Sequence, residues 1–396
     1  MKYKLKDIFD LQMGKTPSRN NIEYWNTKDF KWISISDLTK AHGYISETKE
    51  YISERAVSES GIKIIPANTV VMSFKLSIGK TAITSEDMYS NEAIMAFHDK
   101  HVVEILPEYI FYIFKYKKWD EDSNNAVMGK TLNKAILSEA EIEICSIEEQ
   151  RVIVDILDNM MSVLESRGTE LDLLDNLIKA RFVEMFGDVI HNDRKWECKQ
   201  FSDITTSRLG KMLDAKHQIG TCKYPYLANF NVQWFRFELG NLNEMDFNEK
   251  DREEFCLEDG DLLVCEGGEI GRCAVWHNQV KKCYFQKALH RVRCNQNIIL
   301  PDYLSWWFKY NCENGGFAAI EGAKATISHL TGAKMKMLDV TVPPIELQEQ
   351  FVDFIKHVDK SKLLSLIKLL EQLITYLYNI FIIYRQDKGE EVEDHE

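Results

Sequence analysis

The chain has 396 residues, 45% of them hydrophobic, which is enough for two or more domains with real cores. A formal net charge of −13 argues against a lone, high-affinity DNA binder, because neutralising phosphates takes a basic face. It leaves room for a weaker binder that borrows positive charge from a partner.

In chain order, Leu5-Lys6-Asp7-Ile8-Phe9 is a short amphipathic start, followed by a polar, turn-rich loop from Gly14 to Asn21. Lys31 to Leu38 alternates and predicts a strand. Ile64 to Phe74 reads as a turn between strand segments, and Ser77 to Ile83 as a strand containing Gly79, where a glycine marks a bulge or a close backbone approach. Leu106 to Phe114 predicts a helix starting at Pro107. Gly129-Lys130-Thr131-Leu132-Asn133 is another exposed loop.

Then comes Ile147 to Gly187, which holds no proline. Ile153, Leu157, Met160, Leu164, Leu171, Leu174, Ile178, Phe182 and Met185 trace one helical stripe, with a gap at Arg167. Such a helix reaches roughly 60 Å, too long to bury against one small domain, so it wants a partner helix. The second run after Pro343-Pro344 supplies it, with Phe351, Ile355, Val358, Leu366, Leu369, Leu373, Leu377 and Ile380 at the same spacing.

The second half repeats the order of the first. Phe201-Ser202-Asp203-Ile204 matches the start, and Lys223 to Asn229 takes the place of Lys31 to Asp37. Ile270 to Val275 corresponds to Ile78 to Ile83, and Leu300-Pro301-Asp302-Tyr303-Leu304 to Leu106-Pro107-Glu108-Tyr109-Ile110. Ser146-Ile147-Glu148-Glu149-Gln150 aligns with Pro344-Ile345-Glu346-Leu347-Gln348. The same element twice predicts two α+β globules, each followed by one long helix, with the helices paired antiparallel as a coiled coil in an internal pseudo-twofold repeat. The expected boundaries are 1–146, 147–188, 189–342 and 343–387, with an acidic tail at 388–396.

Catalytic motifs are missing. Gly-Lys-Thr occurs at Gly14, Gly79 and Gly129, but Phe9, Phe74 and Asn124 stand where a phosphate-binding loop needs a glycine. Glu266 to Gly271 lacks dinucleotide spacing, no Asn/Asp-Pro-Pro-aromatic tetrapeptide is present, and no serine sits in GxSxG. The histidines form no HExxH, and the nine cysteines form no CxxC pair, which fits reduced thiols in a cytosolic protein rather than a zinc site. The N-terminus does not resemble a signal peptide, and charges or prolines break the apolar runs at 105–114 and 363–383, so no membrane span is expected.

What remains is a binding signature in loops rich in cations and amides beside aromatics. In the first half it comprises Lys15, Thr16, Arg19, Asn20, Lys75, Lys80, Lys130 and Thr131. In the second it comprises Arg208, Lys211, Lys216, Asn229, Asn231, Arg272, Lys324, Thr326 and Ser328. Lys and Arg hold phosphates, while Arg, Asn, Gln and Lys read base edges. Trp32, Trp234, Trp306 and Trp307 read as core residues rather than stacking platforms.

Val342-Pro343-Pro344-Ile345-Glu346-Leu347-Gln348-Glu349-Gln350 is similar to the proline-rich start of the long helix in specificity subunits of Type I restriction–modification systems. Ile144-Cys145-Ser146-Ile147-Glu148-Glu149-Gln150 is its first-half copy, with Cys145-Ser146 in place of the two prolines. The strands around Ile78-Gly79-Lys80 and Ile270-Gly271-Arg272, and the paired Leu-Pro-Glu/Asp-Tyr segments, also resemble the family, which covers roughly residues 1–385.

The resemblance implies two target-recognition domains, each reading half of a split target in double-stranded DNA, and a helical spacer fixing the gap. It implies no active site or cofactor in this chain. Two modification (methyltransferase) subunits would bring S-adenosylmethionine for adenine-N6 methylation, and a restriction/translocase subunit ATP and Mg, in a prokaryotic cytoplasm. The alternative is a coiled-coil scaffold without DNA specificity.

Overall fold

The computed structural model describes residues 1–25, 27–75, 77–119, 132–213, 220–318 and 329–387, with side chains of the last helix as far as residue 377. Two compact units emerge: Met1–Ser166 with the part of the last helix from Leu369, and Arg167–Lys368. The division falls within the long helices, not at their ends as the sequence boundaries had it. The reason lies in the stripe: Ile153, Leu157 and Met161 pack on the first core, while Leu174, Ile178 and Phe182 belong to the second.

In the first unit, β1 (Lys2–Lys4), α1 (Leu5–Ile8) and β2 (Phe9–Met13) precede β3 (Phe30–Ile33), α2 (Ile35–Lys40), β4 (Tyr44–Ile45), β5 (Glu50–Ile52) and α3 (Glu54–Ser60). Then come β6 (Val70–Ser73), β7 (Thr81–Thr84), β8 (Tyr89–Ser90), β9 (Ile94–Asp99), α4 (Pro107–Tyr116), α5 (Lys134–Glu139), β10 (Glu141–Glu143) and the long α6 (Ile147–Phe186). The sheets are ordered β2-β9-β6-β7-β4, β5-β3-β8 and β1-β10. Pro107 opens α4 because a proline lacks only an N–H that has no partner in the first turn. Leu5, Phe9, Phe97, Phe114 and Ile110 fill the core beneath it.

The second unit repeats the plan. It runs β11 (Glu197–Gln200), α7 (Phe201–Ile204), β12 (Thr205–Leu209), β13 (Lys223–Leu227), β14 (Val232–Gln233), β15 (Arg236–Phe237), β16 (Asn243–Asp246) and α8 (Glu249–Phe255). It continues with β17 (Leu262–Cys265), β18 (Cys273–Val275), β19 (Tyr284–Phe285), β20 (Leu289–Cys294), α9 (Pro301–Glu313), α10 (Gly332–Lys336), β21 (Asp339–Val342) and α11 (Ile345–Asp387). Its sheets β12-β20-β17-β18, β16-β13-β19 and β11-β21 restate those of the first unit in the same order, except that β4 at the edge of the first main sheet has no counterpart. A β14-β15 hairpin stands apart from that correspondence.

Three sequence expectations shift. The strand expected over Lys31 to Leu38 stops at Ile33, and α2 takes over from Ile35 because Ser34 and Asp37 cap a helix there. The strand expected from Ser77 starts at Thr81, and Gly79 lies in the turn before it with φ +85°. Ladder register also moves one alignment: Trp32 pairs with Tyr89 and Tyr226 with Tyr284, so Lys31 corresponds to Pro225 rather than Lys223. A slip of two residues leaves the same face buried, so alternation alone does not detect it.

The two long helices start on the same device. The Gln150 carboxamide oxygen accepts from Leu106 N at 2.9 Å, and its nitrogen donates to Glu104 O at 2.9 Å and Cys145 O at 3.0 Å. Gln348 does the same with Leu300 N at 2.8 Å, Ile298 O at 3.0 Å and Pro343 O at 2.8 Å. Both side chains are fully buried, so every polar atom needs these partners. Ser146 and Glu149 cap α6 reciprocally, which explains how the first copy starts its helix without the two prolines.

Within the second unit the helices run antiparallel. Ser365 donates to Glu170 at 2.8 Å, Lys362 meets Asp175 at 2.6 Å, and Phe351 lies 5.4 Å from Phe182, ring to ring. As one number rises the other falls. Of the expected pairing residues, Ile178, Phe351 and Val358 are buried here, with Leu174 and Ile355 packed at the edge. Met160, Leu369 and Leu373 are half-buried. Leu164 and Leu366 depart from expectation, at 38% and 42% exposed. A straight helix drifts about 20° per heptad from a strict seam, and half-buried Arg167 and Glu170 make its middle polar.

Candidate nucleic-acid interface

In both units the strand before the first predicted loop is followed directly by Gly-Lys, at Gly14-Lys15 after β2 and Gly210-Lys211 after β12. Gly14 N donates to Ile94 O at 3.0 Å and Gly210 N to Leu289 O at 2.9 Å. A Cβ at Gly14 would lie 2.2 Å from Asn91 O, and one at Gly210 2.3 Å from Gln286 O, so neither site admits a side chain. The lysines that follow are tied to their own domains. Lys15 Nζ donates to Ser60 O, at the last residue of α3. Lys211 Nζ donates to Asp246 O at 2.6 Å and meets Asp251 at 2.5 Å, with both side chains largely buried.

Around the first loop, Arg19 forks onto Glu50 at 2.5 and 3.1 Å. Its guanidinium lies 3.7 Å from the Trp25 ring centroid and 4.9 Å from that of Trp32. Thr16 donates to Glu92. That hydrogen bond holds the Glu92 carboxyl below its usual range, with Lys75 and Arg19 adding to the effect. The fold thus brings Thr16, Arg19 and Lys75 around one carboxylate. Lys75 Nζ also lies 5.2 Å from the Phe74 ring, while Asn20 and Lys80 are exposed.

In the second unit Arg208 and Lys211 line an open cleft of about 1060 Å³, with Asp246, Asp251 and Glu254 opposite. Arg208 pairs with Glu254 on α8. Asn229 and Arg272 meet: Arg272 Nη2 donates to Asn229 O at 3.1 Å, and Asn229 Nδ2 to Gly267 O at 3.3 Å. Asn231 is 1% exposed, and its amide closes its own turn through Ala228 N at 2.8 Å and Glu238 O at 2.8 Å. Its place is therefore structural, as with Asp37, which accepts from Ser34 N at the matching position. Lys130, Thr131, Lys216, Lys324, Thr326 and Ser328 lie outside the described residues. Trp32, Trp306 and Trp307 are buried, as their reading as core residues required.

A profile of the family described as "Type I restriction modification DNA specificity domain" matches residues 1–174 and 193–375. The chain belongs to this family. Each half therefore carries one specificity-domain match. It is 30% identical over 220 residues to the Type I restriction enzyme MjaIX specificity subunit of Methanocaldococcus jannaschii, covering 51% of this chain and 50% of that protein. It is 29% identical over 171 residues to the EcoR124I/EcoR124II specificity subunit of Escherichia coli, covering 40% of this chain and 41% of that one. The chain thus spans about half the length of the curated relatives it matches.

Among solved structures, its fold is similar to a Type I restriction–modification S subunit from M. genitalium, with TM-score 0.53 at 12% identity, over 97% of this chain and 95% of that one. A chain from a study of complex assembly and conformational transition in the type I system gives TM-score 0.60 at 13% identity, over 97% of each. The antiparallel helices and two-domain plan are those of this family.

The sequence missed the carboxylates Glu50, Glu92 and Glu254, because each comes from a distant element and nothing local marks it. It also passed over Phe230, 55% exposed between Asn229 and Asn231, where an apolar ring on a polar loop was the available signal. Among the described residues no helix is long and apolar enough to cross a membrane.

Proposed function

We propose that this chain is the DNA-recognition subunit of a Type I restriction–modification complex. Each specificity domain reads one half of a bipartite target in duplex DNA, and the paired helices set the unread gap. The observation that carries this reading is one strand plan built twice, with family matches over both halves, while the loops differ in length and chemistry. A repeated scaffold with unlike loops suits two unlike half-sites. On the first domain Arg19, Lys75 and Lys80 would contact DNA, and on the second Arg208, Asn229 and Arg272, once released from their present partners. Phosphate contacts by the cations would position the duplex, and amide or guanidinium groups would read base edges.

The chain would contribute specificity and no catalysis. Two modification subunits carrying S-adenosylmethionine would methylate adenine N6, and a restriction/translocase subunit would use ATP and Mg. Leu173 and Leu177 on α6, and Leu363, Leu364 and Ile367 on α11, stay exposed at helical spacing and suit docking of such subunits. Their basic surface would offset the −13 charge when DNA is enclosed.

The test is methylation mapping in cells that express this chain with its modification subunits. A split adenine-methylated motif is the expected result. Exchange of residues 1–146 for the matching domain of a relative should alter one half-site only. Deleting about two turns from both long helices should shorten the gap and leave the bases read unchanged. Changes in both half-sites after the domain exchange, or an unchanged gap, would contradict the reading.

A further inference from the structure

The candidate DNA-facing cations fall into two kinds. Lys15 and Lys211 are held on backbone carbonyls at matching positions of the two domains. Lys211 and its carboxylate partner Asp251 are only 16% and 17% exposed, so that pair belongs to the scaffold. Arg19 and Arg208 are different. Arg19 and Glu50 keep 49% and 34% of their side chains exposed, and Arg208 and Glu254 keep 55% and 40%. Ion pairs this open contribute little to stability, so folding gives little reason for them.

Their geometry gives another reason. Arg19 is splinted by the Trp25 and Trp32 rings and presents its fork to both Glu50 oxygens. Carboxylate and phosphate accept a guanidinium fork in the same bidentate way. Arg208 lines the cleft of the second domain with its guanidinium 5.9 Å from the Phe255 ring, and Glu254 meets it through Nη2. The two carboxylates are not copies of each other. Glu50 lies on β5 opposite Trp32, where the second domain has Asn243 opposite Tyr226. Glu254 lies on α8, and Glu59, its counterpart on α3, binds Arg55 and Tyr24 instead. An exposed arginine–carboxylate pair is thus reached from different positions in each domain.

We propose that Glu50 and Glu254 are exchangeable counter-ions that occupy Arg19 and Arg208 in the place of DNA phosphate, and so suppress binding to non-target duplex. This rests on the DNA-recognition reading above. Non-specific binding comes almost wholly from cations finding phosphates. A loosely seated duplex presents phosphates at poor angles, and these do not displace a carboxylate already paired with the guanidinium. A correctly docked half-site brings a phosphate square to the fork and takes it over. The strongly acidic chain thereby withholds two of its cations from bulk DNA and releases them at the target.

The experiment uses the full chain, assembled with modification subunits, and a fluorescent random-sequence duplex titrated at several salt concentrations. Glu50→Gln and Glu254→Gln should each tighten binding about threefold and steepen the salt dependence by about one phosphate contact, with the double variant additive. Melting temperature should stay near that of the parent, because the pairs are exposed. Unchanged affinity in both Gln variants overturns the proposal. Arg19→Ala and Arg208→Ala separate it from the reading beneath. If they weaken DNA binding while the Gln variants do nothing, DNA recognition stands and the counter-ion role falls. If all four variants bind as the parent does, these loops do not face DNA and both fall.

Discussion

The two specificity domains share a strand plan but anchor their long helices with different materials. In the second, Phe182 and Phe186 of α6 meet Tyr303, Trp306, Tyr310 and Phe351 in one aromatic cluster, with Phe182 5.4 to 5.9 Å from three of those rings. In the first, α6 sits on its domain through Ile153, Val154, Leu157 and Met161, which are aliphatic and mostly half-buried. A common topology therefore tolerates two packing solutions, while the glutamine clamp is kept in both. The clamp satisfies backbone groups that no apolar side chain can satisfy, whereas volume can be filled in many ways.

The largest expected effect tests the packing difference. Phe182→Ala should cost about 3–5 kcal/mol in urea unfolding, and Leu157→Ala about 2, because the half-buried leucine leaves a smaller void. Equal costs would erase the contrast. Next comes the shared feature: Gln150→Ala and Gln348→Ala should each cost about 2–3 kcal/mol, and by similar amounts, since each strips one backbone N–H and two carbonyls of their partners. A large difference between them would show that the clamps are not equivalent.

A smaller effect separates the matched lysines. Lys211→Ala should cost about 1–2 kcal/mol, because it leaves Asp251 largely buried with its main partner gone, while Lys15→Ala frees only a carbonyl and should cost less than about 1. The smallest effect is a pH slope. Burial pushes His98 of the first domain and His290 of the second below the ordinary 6.5. The unfolded chain then takes up protons first as pH falls. The stability these rings contribute is full above about 6.5 and declines below it. His290 is the more deeply buried, so His290→Gln should flatten the acid-side slope of urea unfolding more than His98→Gln does. A slope untouched by either substitution would remove both rings from the account.

Much of this was legible in the sequence. The stripe from Ile153 to Phe182 specifies a helix because apolar spacing of three and four has no other regular solution. The repeat at Gln150 and Gln348 showed the duplication. Less visible were features that depend on which distant residues meet. Glu50 and Glu254 carry no local signature, and Asn231 looked like a base reader until folding turned its amide inward. Leu164 and Leu366 followed the stripe on paper but sit where Arg167 and Glu170 make the helix pairing polar.

Because Gln150 and Gln348 lock the base of each helix onto the preceding loop, neither helix is free to spin in its socket. Each residue inserted farther along would turn everything beyond it by about 100°. Tolerated length changes should therefore come in near-whole turns, and a single inserted residue should be more disruptive than four.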